Sequence, residues 1–313
     1  MTRYIALRVV AAMPVLILVT LLAFAAIRIV PGDLAEVRLG EAATPADVAA
    51  LREEMGLNEP IYEQYWTWMS GLLRGNAGTS LQNDLSVADQ FRKRLPVTLE
   101  LALLTTLVSV CIAVPLGVLS ATRSGSLVDH FVRVVAVLGQ AVPTFWLAIL
   151  ALTFLSIYWH WAPPFVYRAP WEDPLHNLQQ LLLPSLILGY AQSALLMRTV
   201  RSSMLEVLSQ DYIRTANSKG LSGRTVVTRH ALRNALIPAT TNVGIQTTTL
   251  MGGAIVLEQI FSLPGVGKLT LDAITSRDYT QLQFNVVFIA VITLAINLIV
   301  DISYLYSDPR LRS

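Results

Sequence analysis

The chain alternates between long stretches with no charged side chain and short stretches crowded with them. Charge-free runs cover Val9–Ile27, Leu101–Thr122, Val134–Trp159, Asn177–Met197, Ile237–Leu257 and Tyr279–Val300. The shortest has 19 residues and the longest 26. A bilayer core takes about 20 apolar residues as helix, because lipid offers no partner to an exposed backbone group. Soluble chains rarely repeat runs of that length. The pattern therefore predicts six transmembrane helices. The first run follows Arg3 and Arg8 and contains Ala23-Phe24-Ala25, as a signal peptide would. It exceeds the usual signal core of about 7–15 residues and is read as a retained span.

Charge between the runs gives the orientation. Arg198, Arg201, Arg214, Lys219, Arg224, Arg229 and Arg233 crowd the loop between the fourth and fifth runs, opposed by Glu206 and Asp211. Arg123 sits in the turn between the second and third runs, and Arg310 and Arg312 near the C-terminus. The loop Trp161–His176 has Arg168 alone, and Glu258–Asp278 has Lys268 and Arg277. Short loops rich in Lys and Arg stay in the cytoplasm. Both termini and the basic loop are thus expected inside, and Pro31–Pro96 outside. The chain divides into a first span (1–30), an extracytoplasmic helical segment (31–96), a five-helix core (97–303) containing the loop 198–235, and a cytoplasmic tail (304–313).

The outer segment has its own punctuation. Thr44-Pro45 reads as an N-cap with proline at the first helical position, and Gly56 as a stop. Pro60 opens a second helix, "PIYEQYWTWMSGLL", closed near Gly75, and Ser86-x-x-Asp89 resembles a third cap. Tyr62, Tyr65, Trp66 and Met69 fall near one another on that second helix. They suit either an aromatic anchor at the bilayer surface or a lid on which a soluble partner docks.

Composition fits this picture: hydrophobic residues make up 54% and charged residues 14%, against about 25% charged in soluble domains. Catalytic chemistry is not visible. His130, His160, His176 and His230 are scattered without metal-ligand spacing. "GVGKLT" (Gly265–Thr270) imitates a phosphate-binding loop. It has Ser262 where that motif needs glycine and Leu269 where it needs Ser or Thr. No cofactor, metal or nucleic-acid partner is expected, and no enzyme activity. The spans also lack the paired ionisable groups of a pump or secondary transporter. The lone Cys111 excludes an internal disulfide. The fifth run is polar for a span: Thr241, Gly244, Thr248 and Gly252 share a helical face. Close packing through small residues and a polar wall for a solute both fit.

The basic loop is the most structured stretch. Asp211 can cap a short helix "YIRTANSK", Gly220 can end it in a left-handed turn, and Ser222 can cap a second helix leading to the fifth run past Pro238. A lipid-phosphate anchor and a peg for a groove on another protein remain open at this point. The loop resembles the cytoplasmic coupling helix of ABC importer permeases. Arg214-Thr215-Ala216 stands where that motif reads Glu-Ala-Ala, with Gly220 at the right spacing. His230-Ala231-Leu232-Arg233 stands where Ile-x-Leu-Pro is expected, with the proline later, as Pro238. Only Ala216, Gly220 and Leu232 match the general motif. "DYIRTANSKGLS" with "RHALRNALIP" is instead similar to the B-type permeases of dipeptide, oligopeptide and nickel importers. So are "MGLNEPIYEQYWTWMSGLLRGNAGTSL", "LPVTLELALL", "VPTFWLAILAL", "EQIFSLPGVGKLTLDAITSRDYTQLQ" and "DPRLR".

The resemblance implies an all-α type I importer permease in the bacterial inner membrane, carrying short peptides. Nickel complexes, glutathione or small glycosides are alternative cargoes, and a stand-alone secondary transporter is a reading from a different class. It implies a heterodimer with a C-type permease, two cytoplasmic ATPase subunits that bind ATP and Mg, and an extracytoplasmic solute-binding protein. Tyr212, Arg214, Thr215, Ala216, Lys219 and Gly220 would couple to an ATPase subunit, and Thr241, Gly244, Thr248 and Gly252 would line the path.

Overall fold

The computed structural model describes residues 2–29, 34–40 and 43–307. In chain order the helices are α1 (Thr2–Ile29), α2 (Leu34–Leu39), α3 (Pro45–Glu54), α4 (Ile61–Leu73), α5 (Val87–Thr122), α6 (Leu127–Ala141), α7 (Thr144–Trp159), α8 (Pro174–Leu208) and α9 (Asp211–Ser218). After a single turn α10 (Gly223–Thr225) and a π-helical stretch Val226–Ala231 come α11 (Leu232–Gly253), α12 (Ile255–Ile260), α13 (Val266–Thr275) and α14 (Tyr279–Ser307). Among the described residues no strand forms, and Thr79 and Ser86 make one isolated bridge. Most of the expected tail, residues 308–313 with Arg310 and Arg312, lies outside the described residues.

Among the described residues, four helical stretches are long and apolar enough to cross a membrane: Ala6–Ile29, Val87–Thr122, Pro174–Leu208 and Tyr279–Ile302. The third charge-free run is not the single straight helix expected. It breaks into α6 and α7, which meet at 98° and together make a fifth candidate. The cause is Pro143. It caps α7, and Val142 before it is extended (φ −90°, ψ 123°), because a proline ring disfavours helical backbone in the preceding residue. The fifth run forms α11 but is not among the apolar candidates. Thr240, Thr241, Asn242, Gln246, Thr247, Thr248 and Thr249 make it polar.

The chain forms two compact units. One comprises Met1–Thr98 and Pro264–Ala295. Val87 and Phe91 pack there with Val266, Leu269 and Phe284, and Phe284 stacks on Phe288 with ring centroids 4.1 Å apart. The Thr44 cap is present, with reciprocal bonds between Thr44 and Asp47, and Gly56 takes a positive φ of 64°. Ser86 Oγ accepts from the Asp89 N–H as expected. The aromatics of α4 divide: Tyr65 and Trp68 close on Phe24 of α1, while Tyr62 and Trp66 remain exposed. At the start of α14, Asp278 accepts from Ser80 Oγ, from the Leu81 N–H at 3.2 Å and from the Gln281 N–H at 3.1 Å.

The other unit comprises Leu99–Leu263 and Ile296–Ser313. Its core joins α5, α6, α8, α9 and α11 through Ala113, Ala136, Leu196, Met197, Val200, Ile213 and Ala235 among others. Two glycines allow α5 and α8 to approach closely. A Cβ on Gly117 would lie 2.8 Å from Val200, and one on Gly189 would lie 2.9 Å from the Thr105 carbonyl. In the loop before α8, Tyr167 donates to Glu100 at 2.8 Å. Burial, and then that carboxylate, push the phenol of Tyr167 well above its ordinary range.

Candidate coupling site

The basic loop folds much as its punctuation predicts. α8 does not stop where its charge-free run ends at Met197 but continues to Leu208. Ser209 and Gln210 turn the chain into α9. Gln210 takes the N-cap position and Asp211 the first helical one, so the helix begins a residue earlier than expected. Gly220 has a φ of +76°, a conformation in which a side chain is strained. Its N–H donates to the Asn217 carbonyl at 2.9 Å, closing the helix. Ser222 caps the next turn by accepting from the Thr225 N–H. The chain then widens: the Leu232 N–H donates to Val227 O, five residues back. Such π-turns are rare and recur at functional sites.

Two side chains mount α9 on its own unit. Ile213 and Ala216 are buried in the core with Val226 and Ala231. Tyr212 is partly exposed and accepts a bond from Asn234 Nδ2 through its hydroxyl at 2.9 Å. Arg214, Thr215 and Lys219 are exposed, and Arg214 reaches Asp211 at 3.5 Å. Ala216 therefore faces this chain's own core. Its methyl is the buried side of the peg, and Tyr212, Arg214, Thr215 and Lys219 are what the peg presents.

Below α9 lies a joint that the sequence did not reveal. Asp129, in the first turn of α6, is 1% exposed. Arg201 of α8 grips it with two bonds, Nε to Oδ1 at 2.8 Å and Nη2 to Oδ2 at 2.9 Å. Ser120 at the end of α5 donates to Oδ1 at 2.6 Å, and the Gly125 N–H donates to Oδ2 at 2.9 Å. Arg133 stands farther off at 3.7 Å. One carboxylate thus ties the α5–α6 turn to the end of α8 that carries α9. In sequence Asp129 is the first-turn acid after Ser126, an N-cap signal. Nothing local points to Arg201, 72 residues away.

The expected path residues divide. Thr241 and Thr248 are half-buried on α11. Gly244 is fully packed: a Cβ there would lie 2.7 Å from a Val300 methyl of α14. Gly252 lies on α11, its surroundings outside the described side chains. The polar bonds between helices use other residues. Asn242 donates to Thr199 at 2.8 Å, Gln246 to the Gln192 carbonyl at 3.1 Å, and Thr106 and Thr247 share a bond of 3.2 Å. No group of three or more metal-ligating side chains occurs among the described residues.

Comparisons with known proteins agree with this architecture. The family model described as "Binding-protein-dependent transport system inner membrane component" matches residues 113–313, and its N-terminal counterpart matches residues 1–102. The chain is 38% identical to the dipeptide transport system permease protein DppB of Alkalihalophilus pseudofirmus, over the whole of both proteins. It is 34% identical to the protein of that name from Escherichia coli K12, over 100% of this chain and 99% of that one. Among solved structures, a chain of the MetNI methionine ABC transporter, caught in inward-facing conformations, superposes with a TM-score of 0.56 at 16% identity. That match covers 70% of this chain and 96% of the other, so it speaks for the fold, that of a type I importer permease. The chain belongs to the inner-membrane components of binding-protein-dependent transport systems, as a multi-pass permease subunit.

Proposed function

We propose that this chain is one transmembrane subunit of an ATP-driven importer that brings short peptides into the cytoplasm. It would pair with a second, C-type permease, receive cargo from an extracytoplasmic solute-binding protein, and be driven by two cytoplasmic ATPase subunits. ATP and Mg would bind to those subunits, and this chain would be non-catalytic. Six crossings with both termini inside follow from the Lys and Arg asymmetry. The dipeptide permeases to which it is similar throughout support the cargo class.

The observation that carries the coupling role is the mounting of α9. A two-turn helix is fixed from beneath by Ile213 and Ala216 and leaves its other side chains outward. It is carried at the end of a 35-residue helix and stopped by a left-handed glycine. A lipid anchor needs only charge. A rigid peg suits a groove on an ATPase subunit, so that motion of that subunit moves α8 and, through Asp129, the α5–α6 turn.

Gly220→Val tests this. No atom lies within 4 Å of an added Cβ at Gly220, so the burden falls on the backbone φ, at about 1 kcal/mol or more. Swinging α9 relieves it. The assembled complex should form normally, yet proteoliposome uptake should drop about fivefold or more, with loss of ATPase stimulation by the binding protein. Normal coupled uptake would return the loop to the role of lipid anchor.

A further inference from the structure

Arg198 is one of the loop's seven bases in sequence, but the structure does not leave it in a loop. It lies on α8 beside Thr199, whose hydroxyl accepts from Asn242 at 2.8 Å. Asn242 is five residues inside the charge-free run that starts at Ile237, about 7 Å along a helix rising 1.5 Å per residue. Arg198 thus stands at the depth of a span. It is exposed and makes no hydrogen bond or ion pair among the described residues. A guanidinium at that depth is costly against lipid and ordinarily faces water, protein or a solute.

The faces of α8 show what is left for it. Val200 meets Gly117 of α5, Ala194 and Tyr190 meet Gly139 of α6, and Gln192 and Thr199 bond to α11. The remaining stripe at this level is Leu195, Arg198 and Ser202, all exposed. At 3.6 residues per turn, half-buried Ala191 lies within about 20° of Arg198, and Gln180, five turns outward, shares its azimuth. Gln180 is wholly buried, and both polar atoms of its amide lack a partner among the described residues. Pro184 and Ile187, next on this side, are buried as well. The face is therefore occluded outward, where an unanswered amide lies, and opens inward from Ala191 to an unanswered guanidinium.

We propose that this face of α8 contacts the cargo, with Arg198 pairing a peptide's terminal carboxylate through its planar fork. The methyl of Ala191 leaves room for the chain that precedes that carboxylate. Arg198 and Ala191 stand about 10 Å apart along the axis, a span that about three extended residues cover at about 3.3–3.6 Å each. This rests on the peptide-importer reading above and adds a subsite in the permease itself.

The test uses the complete transporter in nanodiscs, without binding protein, so that only the membrane complex selects. Binding of a labelled dipeptide is compared with binding of its C-terminal amide at millimolar peptide. The native complex should hold the free acid about tenfold more tightly, as a charge-assisted bond implies. Arg198→Gln should erase that preference and leave the amide's affinity unchanged, and Arg198→Lys should restore part of it. Equal affinities in the native complex, no measurable binding, or a preference surviving in Arg198→Gln overturns the subsite. The last result, with reduced uptake, would assign Arg198 to a partner permease or to lipid. Binding-protein-dependent uptake of the same dipeptide into proteoliposomes separates the two levels. Uptake without an acid preference sinks the subsite alone, whereas absence of peptide uptake sinks the importer reading.

Discussion

Asp129 and Asp278 are both withdrawn from solvent, at 1% and 6% exposure, yet their surroundings differ in kind. Asp129 is met by a cation: Arg201 binds both of its oxygens. Asp278 has no ion-pair partner among the described residues. It rests on neutral donors, the Ser80 hydroxyl and the N–H groups of Leu81 and Gln281, at a helix start where the peptide dipoles favour negative charge. The first is a joint between α6 and α8. The second is a helix cap that also stitches the segment around Ser80 to α14. Removing the carboxylate of the joint strands a guanidinium, while removing that of the cap strands only dipoles. Unpaired buried charge is the dearer fault, so the two sites should fail differently.

The largest effect is expected from Asp129→Ala, about 3–5 kcal/mol, because Arg201 would lose its counter-charge. Thermal unfolding of the detergent-solubilised protein should show a large fall. Adding Arg201→Met should recover much of it, since replacing a buried pair by apolar groups is often neutral. A double variant as unstable as the sum of the singles would mean that the two residues are not coupled. Asp278→Ala should cost about 2 kcal/mol, the upper range for loss of a cap, and its effect should be local. Hydrogen exchange should quicken around residues 79–86 and at the start of α14, with the core about Met197 and Val200 unchanged. Global loosening instead would make the cap a joint of the same rank. The smallest effect belongs to Arg133→Gln. Its guanidinium stands 3.7 Å from Asp129 and is 48% exposed, so about 0.5 kcal/mol or less is expected, shrinking further in high salt. A larger loss would show that Arg201 alone does not neutralise the carboxylate.

Only the local bond of the cap, from the Gln281 N–H to Asp278, is of a kind that sequence can show; its donors around Ser80 and the joint are not. Caps are written in neighbouring residues, so Thr44-Pro45, Ser86-x-x-Asp89, Gly220 and Ser222 were legible before any coordinate. Asp129 and Arg201 are joined only by the way α6 packs on α8, and neither marks the other. The side of α9 on which Ala216 lies was not legible for a related reason: an alanine on an eight-residue helix fits either side until its neighbours are known. Arg198 shows a different gap. Charge marks where a lipid boundary was expected, whereas the helix carrying it runs on to Leu208. Pro143 was in plain view but sat in an uncharged run, where hydropathy reads length and not direction.

That proline has a consequence for sidedness. The two arms of the elbow hold 15 and 16 residues, each about 23 Å long against a hydrocarbon layer of about 30 Å. Neither arm carries the chain across alone, so the passage is shared between them at 98°. Because the passage is completed across the bend, the compartment of every later loop depends on it. The peg that would meet the ATPase and the open face of α8 around Arg198 both lie downstream of it. The change of direction that lets two short arms share one crossing is set at one peptide bond, between Val142 and Pro143.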